Sequence, residues 1–279
     1  MVKTRVITAL FMLAVVAGML FFANTQVWLV GISALVAWAA VEWASLAKFS
    51  KLAKAVYAFT VPALLGAGYM LMNHGDARLV IVGVLLSVLF WLLMVPIWLF
   101  NAWHVRSKPV LALVGALILL AAGWCLLMAR PHPLSFPPSI ENPWLILGFL
   151  LVVWVADSVA FFAGRALGRH KLAPSISPGK TIEGALGAWV GVSAYLIFLK
   201  YMDWLPFDLT LAKLFLLAFM MTYISILGDL FESWLKRCAG VKDSGRALPG
   251  HGGILDRIDA ILSTLPLQLL LYNLLSMSQ

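Results

Sequence analysis

The sequence predicts an all-α, polytopic transmembrane protein. Of its 279 residues, 63% are hydrophobic and 11% are charged, whereas a soluble domain is about half apolar and about a quarter charged. The mean hydropathy of +0.97 points the same way. So few charged side chains cannot cover a fold of this size in water, so lipid must be the solvent for much of the surface.

Nine apolar runs are long enough to cross a bilayer, which takes roughly 17–25 helical residues. Backbone groups in lipid must be satisfied within their own segment, so each run is predicted to be a helix. The first run ends without a small-residue cleavage pattern and is expected to remain as an uncleaved span. Glu42 interrupts the second run as an isolated acid, which we expect at a helix contact or at the membrane interface. The predicted spans cover residues 6–23, 26–47, 55–73, 78–100, 109–129, 142–163, 182–202, 211–231 and 258–276.

The distribution of basic residues predicts how these spans are oriented. If the N-terminus is cytoplasmic, 16 of the 20 Lys and Arg residues fall on the cytoplasmic side, which such residues favour. The odd number of spans then places the C-terminus outside. Topology and anionic membrane lipids account for the net charge of +8, so nucleic acid is not expected as a partner. The expected location is a bacterial-type inner membrane.

The chain is predicted to divide into two parts. Residues 1–141 form N-terminal transmembrane helices, and residues 142–279 form C-terminal helices that carry the polar motifs on the cytoplasmic side. Between them, the proline-rich segment 130–143 is predicted to be an extended connection on the outer side.

Four acids lie near the predicted cytoplasmic ends of spans: Asp157, Asp229, Asp256 and Asp259. Acids within a membrane are costly and are usually functional. Several carboxylates beside many cations indicate a hard divalent cation that also binds phosphates, as Mg²⁺ does. The alternative is salt bridging between helices, for example between Asp256 and Lys236.

A basic, glycine-rich loop links the last two spans. Its cations suit phosphate oxygens. Gly252 and Gly253 beside His251 allow backbone N–H groups to approach an anion closely. The alternative is a positively charged cytoplasmic loop that only turns tightly. The candidate residues here are Ser233, Lys236, Arg237, Lys242, Asp243, His251, Gly252, Gly253 and Arg257.

A second candidate segment precedes the seventh span. Ser177 followed by Pro178 suits the cap and first position of a helix, which would place Lys180 and Thr181 in its first turn. A helix N-terminus beside a lysine favours an anion. The alternative is simple capping with an interfacial anchor. The glycine spacing of a Walker A loop is absent.

These segments together resemble the phosphatidate cytidylyltransferase family. The 27 residues from Ser233 to Asp259 are similar to the family motif without a departure. The Ser177–Gly184 segment, with Lys180, Thr181 and Glu183, is also similar, as are the Asp157-Ser158 and Gly228-Asp229 pairs. The resemblance covers the C-terminal half in detail, whereas the N-terminal spans match only in kind.

The resemblance implies a homodimeric membrane enzyme that needs Mg²⁺, assisted by K⁺. In such an enzyme the phosphate of phosphatidate attacks the α-phosphorus of CTP, which gives CDP-diacylglycerol and pyrophosphate. Asp229 and Asp256 would bind the metal, with Asp157 and Asp259 as further candidates. The catalytic candidates are Asp229, Asp256, Lys180, Lys236, Arg237, Lys242, Asp243, His251 and Arg257. The substrate-binding candidates are Ser177, Lys180, Thr181, Glu183, Ser233, Lys236, Arg237, Lys242, Gly252 and Gly253.

A phosphate monoester is mostly ionised near neutral pH, so a strong general base is not required. His251 is therefore expected to be a phosphate ligand. We expect Lys180 to serve the lipid phosphate, and Lys236, Arg237 and Lys242 to serve CTP.

Two other functions fit part of the pattern. A transporter of an anionic solute also carries acids within the membrane, but it should show related halves. Another lipid-headgroup enzyme, a CDP-alcohol phosphotransferase, would carry an Asp-Gly pair, and the chain has none.

Overall fold

The computed structural model describes residues 2–129, 143–205 and 207–277, and helices dominate these residues. The predicted proline-rich connection lies outside the described residues, apart from Pro143, which begins a helix. The helices are α1 (Val2–Phe22), α2 (Thr25–Leu46), α3 (Lys51–Asn73), α4 (Arg78–Leu89), α5 (Val95–Phe100), α6 (Lys108–Met128), α7 (Pro143–Leu167), α8 (Ile182–Tyr201), α9 (Leu211–Ala239) and α10 (Leu255–Met277). A π-helical stretch, Phe90–Met94, joins α4 to α5, and the two strands are β1 (Lys171–Ala173) and β2 (Ser177–Thr181).

The nine predicted spans agree with these helices. Within the described ranges, eight helices are long and apolar enough to cross a membrane, with Arg78–Phe100 as one continuous span, and Val6–Phe22 is a shorter apolar helix. Length and composition therefore support about nine spans. The chain is a membrane protein.

The largest boundary error concerns α9, which was predicted to end at residue 231 and continues to Ala239. Gly240 ends it with a left-handed backbone (φ 77°), the conformation that glycine adopts at little cost after a helix. Lys236 and Arg237 lie in its last turn, where cations favour the helix dipole. Both side chains are therefore held on a helix rather than on the loop.

Small residues bring the polar helices close together. A Cβ atom on Gly187 would lie 2.4 Å from the Cβ of Ala163, and one on Gly191 would lie 2.7 Å from Val159. Such small residues let helix backbones approach in a membrane. They pack α8 against α7, and Gly228 packs α9 against α10 in the same way.

The N-terminal helices support α9 through aromatic side chains. Phe231 is 1% exposed, and its ring contacts the rings of Trp43, Phe90, Trp91 and Trp98. The buried core is thus continuous between residues from both predicted parts of the chain. Phe231 lies two positions after Asp229, so this packing fixes the helix that carries a central acid.

Gly228→Ala is expected to weaken the fold and the site together. The added Cβ would lie 2.3 Å from the Ser263 hydroxyl and 2.7 Å from the backbone oxygen of Asp259. Overpacking of this kind costs about 1–3 kcal/mol, so thermal unfolding in detergent should occur at a lower temperature. Gly66→Ala is the matched control, because its new Cβ would meet nothing within 4 Å. Equal melting temperatures for both variants would contradict the close α9–α10 contact.

Candidate active site

A β-hairpin, rather than a helix start, carries Lys180. Strands β1 and β2 pair antiparallel, with Lys171 opposite Thr181 and Ala173 opposite Ser177. The prediction that Ser177 caps the seventh span was therefore wrong. Thr181 has an extended backbone (φ −127°, ψ 156°), and its hydroxyl accepts the N–H of Gly184 at 3.1 Å. Strand pairing keeps the chain extended through Thr181, so α8 begins only at Ile182.

Glu183 connects the hairpin to α8. Its carboxylate accepts the backbone N–H of His170 at 3.2 Å and lies 2.6 Å from the His170 Nδ1. This carboxylate is already engaged at the base of the hairpin. Its predicted part in substrate binding stays a prediction, and the geometry gives it a role in holding the hairpin.

Three helices contribute acids to one cluster, which we call the acid cluster. Asp157 on α7, Asp229 on α9 and Asp259 on α10 lie within electrostatic range of one another. Lys180 Nζ lies 2.6 Å from Asp229 Oδ2, and the Ser233 hydroxyl donates to Asp229 Oδ1 at 3.2 Å. The hairpin thus delivers one cation to a cluster of acids that would otherwise repel.

Asp256 lies in a second arrangement beside the acid cluster. Its Oδ1 is 2.6 Å from Lys236 Nζ, and Lys236 also pairs with Glu232 on its own helix. Its Oδ2 accepts the N–H groups of Ser244 at 2.9 Å and Gly253 at 2.8 Å. The salt bridge that was considered as an alternative is therefore present. The Lys236 side chain lies between two carboxylates and is largely buried, with 12% of it exposed.

The glycine-rich turn is built as a compact loop. Gly250 and Gly252 have φ angles of 77° and 82°, and Leu248 pairs with Gly252 across the turn. The N–H of Gly253, expected to face a phosphate, donates instead to Asp256. His251 Nδ1 is buried without a hydrogen-bond partner in the described part of the chain. The expected role of His251 as a phosphate ligand stays a prediction.

The two motif segments face the same site. Arg237 donates from Nε to the backbone oxygen of Ile176 at the hairpin tip, at 3.3 Å. Arg257 donates from Nε to the backbone oxygen of His251 at 3.1 Å, and its charge also acts on Asp157. Lys242 and Asp243 are exposed on the loop.

A cavity of about 600 Å³ opens between α7, α8, α9 and the hairpin. One part of its wall is polar, with Asp157, Arg165, Ser177, Lys180 and Asp229. The remainder is mostly apolar, with residues such as Ala160, Phe161, Leu172, Ala185 and Ala188. The predicted residues Ser177 and Lys180 line this cavity, whereas Lys236 and Lys242 do not.

A hard cation suits the chemistry of the acid cluster. All its donors are carboxylate oxygens, and in the described residues Lys180 is the one lysine paired with it. No three acidic, His or Cys side chains of that part of the chain converge closely enough to hold an ion as they stand. Mg²⁺ needs only one or two carboxylates, since water and substrate phosphates complete its shell. Asp256 can join only by sharing the oxygen that binds Lys236.

Two buried acids beside the site, Glu42 and Glu232, were not predicted as partners of these residues. Glu42 was expected at a helix contact or at the interface. It is 4% exposed and accepts hydrogen bonds from the loop before α10. Glu232, the buried partner of Lys236, was not among the predicted site residues. The available signal was the same for both: an acid inside an apolar helix.

Known proteins match the chain over nearly its whole length. The model of the cytidylyltransferase family matches residues 3–275. A phosphatidate cytidylyltransferase from Pseudomonas aeruginosa is 36% identical over 272 residues, which cover 95% of each chain. The Haemophilus influenzae protein of that name is 32% identical over 284 residues, covering 95% of this chain and 96% of its own. A third, from Staphylococcus saprophyticus, is 46% identical over 127 residues, covering 46% and 48%. The chain therefore belongs to the cytidylyltransferase family.

Proposed function

We propose that this chain transfers the cytidylyl group of CTP to phosphatidate, giving CDP-diacylglycerol and pyrophosphate for phospholipid synthesis. The observation that carries the proposal is the cavity between α7, α8 and α9. Its lining joins Lys180 and two members of the acid cluster, Asp157 and Asp229, to an apolar wall within transmembrane helices. A lipid phosphate with its acyl chains has the same division into a charged end and an apolar end.

The residues divide between the two substrates by position. Lys180 and Arg165 line the cavity, so they hold the phosphate of phosphatidate at the membrane edge. Lys242 is exposed on the loop, and Arg237 lies in the last turn of α9, beside the hairpin tip. These two cations are placed for the water-soluble triphosphate. Lys236, buried between Glu232 and Asp256, holds those two carboxylates in place.

The reaction requires positioning and charge compensation. An oxygen of the lipid phosphate attacks the α-phosphorus of CTP, a new P–O bond forms, and the bond to pyrophosphate breaks. That oxygen is already ionised near neutral pH, so no side chain must remove a proton. When bound, Mg²⁺ would offset negative charge on the phosphates and orient them in line. Asp229 would hold it with at most one further carboxylate, from Asp157, Asp259 or Asp256, and water and substrate phosphates would complete its shell. The lysines and arginines would keep the two phosphates together.

The setting of this reaction is also part of the proposal. The site lies on the cytoplasmic side of a bacterial-type inner membrane, with K⁺ as a second cation and a homodimer as the assembly. The support for the cytoplasmic side is that Asp157, Asp229 and Asp259 lie in the halves of α7, α9 and α10 that lead to the basic hairpin and loop. Cytoplasmic segments carry an excess of Lys and Arg.

The same charge distribution predicts the result of a topology experiment. A reporter fused at Gln279 and a reporter inserted within residues 240–250 should lie on opposite sides of the membrane, with the loop reporter cytoplasmic. The physical reason is that 16 of the 20 basic residues then face the cytoplasm. Reporters found on one side would mean that α10 does not cross the membrane, and they would overturn the nine-span topology.

One assay tests the function itself. The full chain, purified in detergent, is given CTP, phosphatidate and Mg²⁺, and CDP-diacylglycerol and pyrophosphate are measured together. Equal amounts of both products should form, and none when phosphatidate is replaced by diacylglycerol, which lacks the attacking phosphate. Absence of lipid product from a folded, monodisperse sample would overturn the proposal.

A further inference from the structure

Glu42 is a buried acid in the N-terminal half of the chain, far in sequence from both motif segments. It lies near the C-terminal end of α2 and is 4% exposed. A buried carboxylate is costly unless hydrogen bonds satisfy it. The groups that satisfy it therefore show what the residue does.

Three of its donors belong to the segment that leads into α10. Glu42 Oε2 accepts the Ser244 hydroxyl at 3.2 Å and the Leu255 N–H at 2.8 Å. Glu42 Oε1 accepts the Ile254 N–H at 3.1 Å and the Trp38 indole N–H at 3.2 Å. Each carboxylate oxygen of Glu42 thus accepts two hydrogen bonds.

The loop is shaped around this carboxylate. A Cβ atom on Gly245 would lie 2.4 Å from Glu42 Oε1, and one on Gly253 would lie 2.5 Å from Oε2. Neither glycine has a left-handed φ angle. Space for Glu42, and at Gly253 also for the Ser244 hydroxyl 2.2 Å away, therefore requires glycine at both positions, whereas backbone conformation does not.

The hydrogen bonds of Glu42 hold the start of α10, the helix that carries two of the candidate catalytic acids. Leu255 begins α10, and its N–H is one of those that a helix leaves without an internal partner. A negative charge there is also favoured by the helix dipole. Asp256 and Asp259 follow within the first two turns. Ser244 is held from both sides, since its hydroxyl binds Glu42 and its N–H binds Asp256.

We propose that Glu42 is a positioning residue for the active site: it caps α10 from α2 and fixes the loop from Ser244 to Leu255. Through this contact it sets the placement of Asp256, Arg257 and Asp259 without touching substrate. The effect on turnover rests on the proposed function, whereas the effect on the loop does not. Under this proposal α2, a span outside the motif segments, helps to position the active site.

Glu42→Gln tests it with little change in shape. In either orientation the amide NH₂ replaces an oxygen that accepts two hydrogen bonds, so two donors lose their acceptor. We expect kcat to fall roughly 10- to 100-fold, the usual cost of losing a group that orients catalytic ligands. The KM for CTP should change much less. Val36→Ala, at a residue of the same helix that is 5% exposed, controls for loss of packing and should keep its kcat.

Limited trypsin digestion gives a second readout that needs no activity. Lys242 and Arg246 are exposed on the loop, and cleavage after them should be faster in Glu42→Gln than in wild type or Val36→Ala. If wild type makes no CDP-diacylglycerol, the proposed function fails, and the digestion still decides the positioning role. Unchanged cleavage, or an equal loss of kcat in Val36→Ala, would overturn it.

Gly245→Ala disturbs the same contact from the side of the loop. It tests the proposal if Glu42→Gln does not fold. Its new Cβ would displace the Glu42 carboxylate, so it should lower kcat and expose the loop in the same way. In a Glu42→Ala background the clash is gone, and Gly245→Ala should add no further loss. Additive losses would mean that the two residues act separately, contrary to the proposal.

Discussion

Asp229→Asn is expected to lower kcat on the order of 1,000-fold, the cost of removing one preorganised charge from a transition state. The change keeps the size of the side chain and the contact with Ser233. It removes the negative charge that pairs with Lys180 and a carboxylate available to a divalent cation. The measurement is steady-state turnover of CTP and phosphatidate over a range of Mg²⁺ concentrations.

Asp76→Asn is the matched control for this change. Asp76 lies outside the transmembrane helices, and its hydrogen bond from Arg78 lowers its pKa to about 2. It is therefore an ionised aspartate that pairs with a basic side chain, as Asp229 pairs with Lys180, but its partner Arg78 is not a residue of the site. Its kcat should equal that of wild type. An Asp229→Asn enzyme that kept near-normal turnover at low Mg²⁺ would exclude Asp229 as a ligand.

Lys236→Met is expected to cost about 3–5 kcal/mol of stability, the usual penalty for leaving a buried charge without its partner. Lys236 is 12% exposed, and its partners Glu232 and Asp256 are each 5% exposed. Two carboxylates would remain buried without a cation. Thermal unfolding in detergent should therefore begin at a much lower temperature, and kcat should fall because Asp256 is no longer held.

Lys213→Met provides the comparison on the same helix, because Lys213 is exposed in the first turn of α9. Its melting temperature should stay within the range expected for surface changes. Adding Glu232→Gln to Lys236→Met removes one of the two unpaired charges and should recover part of the lost stability. A Lys236→Met protein as stable as wild type would show that this buried ion triad does not form.

Local sequence was sufficient to predict the spans but not all of their ends. Composition and run length follow directly from the thickness of a bilayer, and the predicted spans fall on helices throughout the described residues. The predicted span 182–202 begins where α8 begins. The separate prediction of a helix cap at Ser177-Pro178 was wrong, because that segment pairs instead with a strand several residues earlier. The end of α9 was misplaced because Glu232 and Lys236 suggested a loop, although their mutual pairing makes them compatible with a helix.

The residues of the site were predicted, but the contacts between them were not. Motif spacing identified Asp229, Asp256 and Lys180, because fixed polar positions within an apolar chain are conspicuous. It did not show that Asp256 is held by the loop while Asp229 faces Lys180. The contact between Glu42 and Ser244 joins positions 202 residues apart. No local pattern predicts such a pairing, since it depends on how α2 packs beside α10.

Attack of the lipid phosphate on the α-phosphorus of CTP at the acid cluster can be followed with labelled CTP. Two parallel reactions use CTP labelled at the α- or at the γ-phosphorus. The α-label should appear in the lipid product and the γ-label in pyrophosphate, with both transfers lost in Asp229→Asn and kept in Asp76→Asn. Transfer of the γ-label to the lipid, or release of labelled CDP without a lipid product, would contradict it.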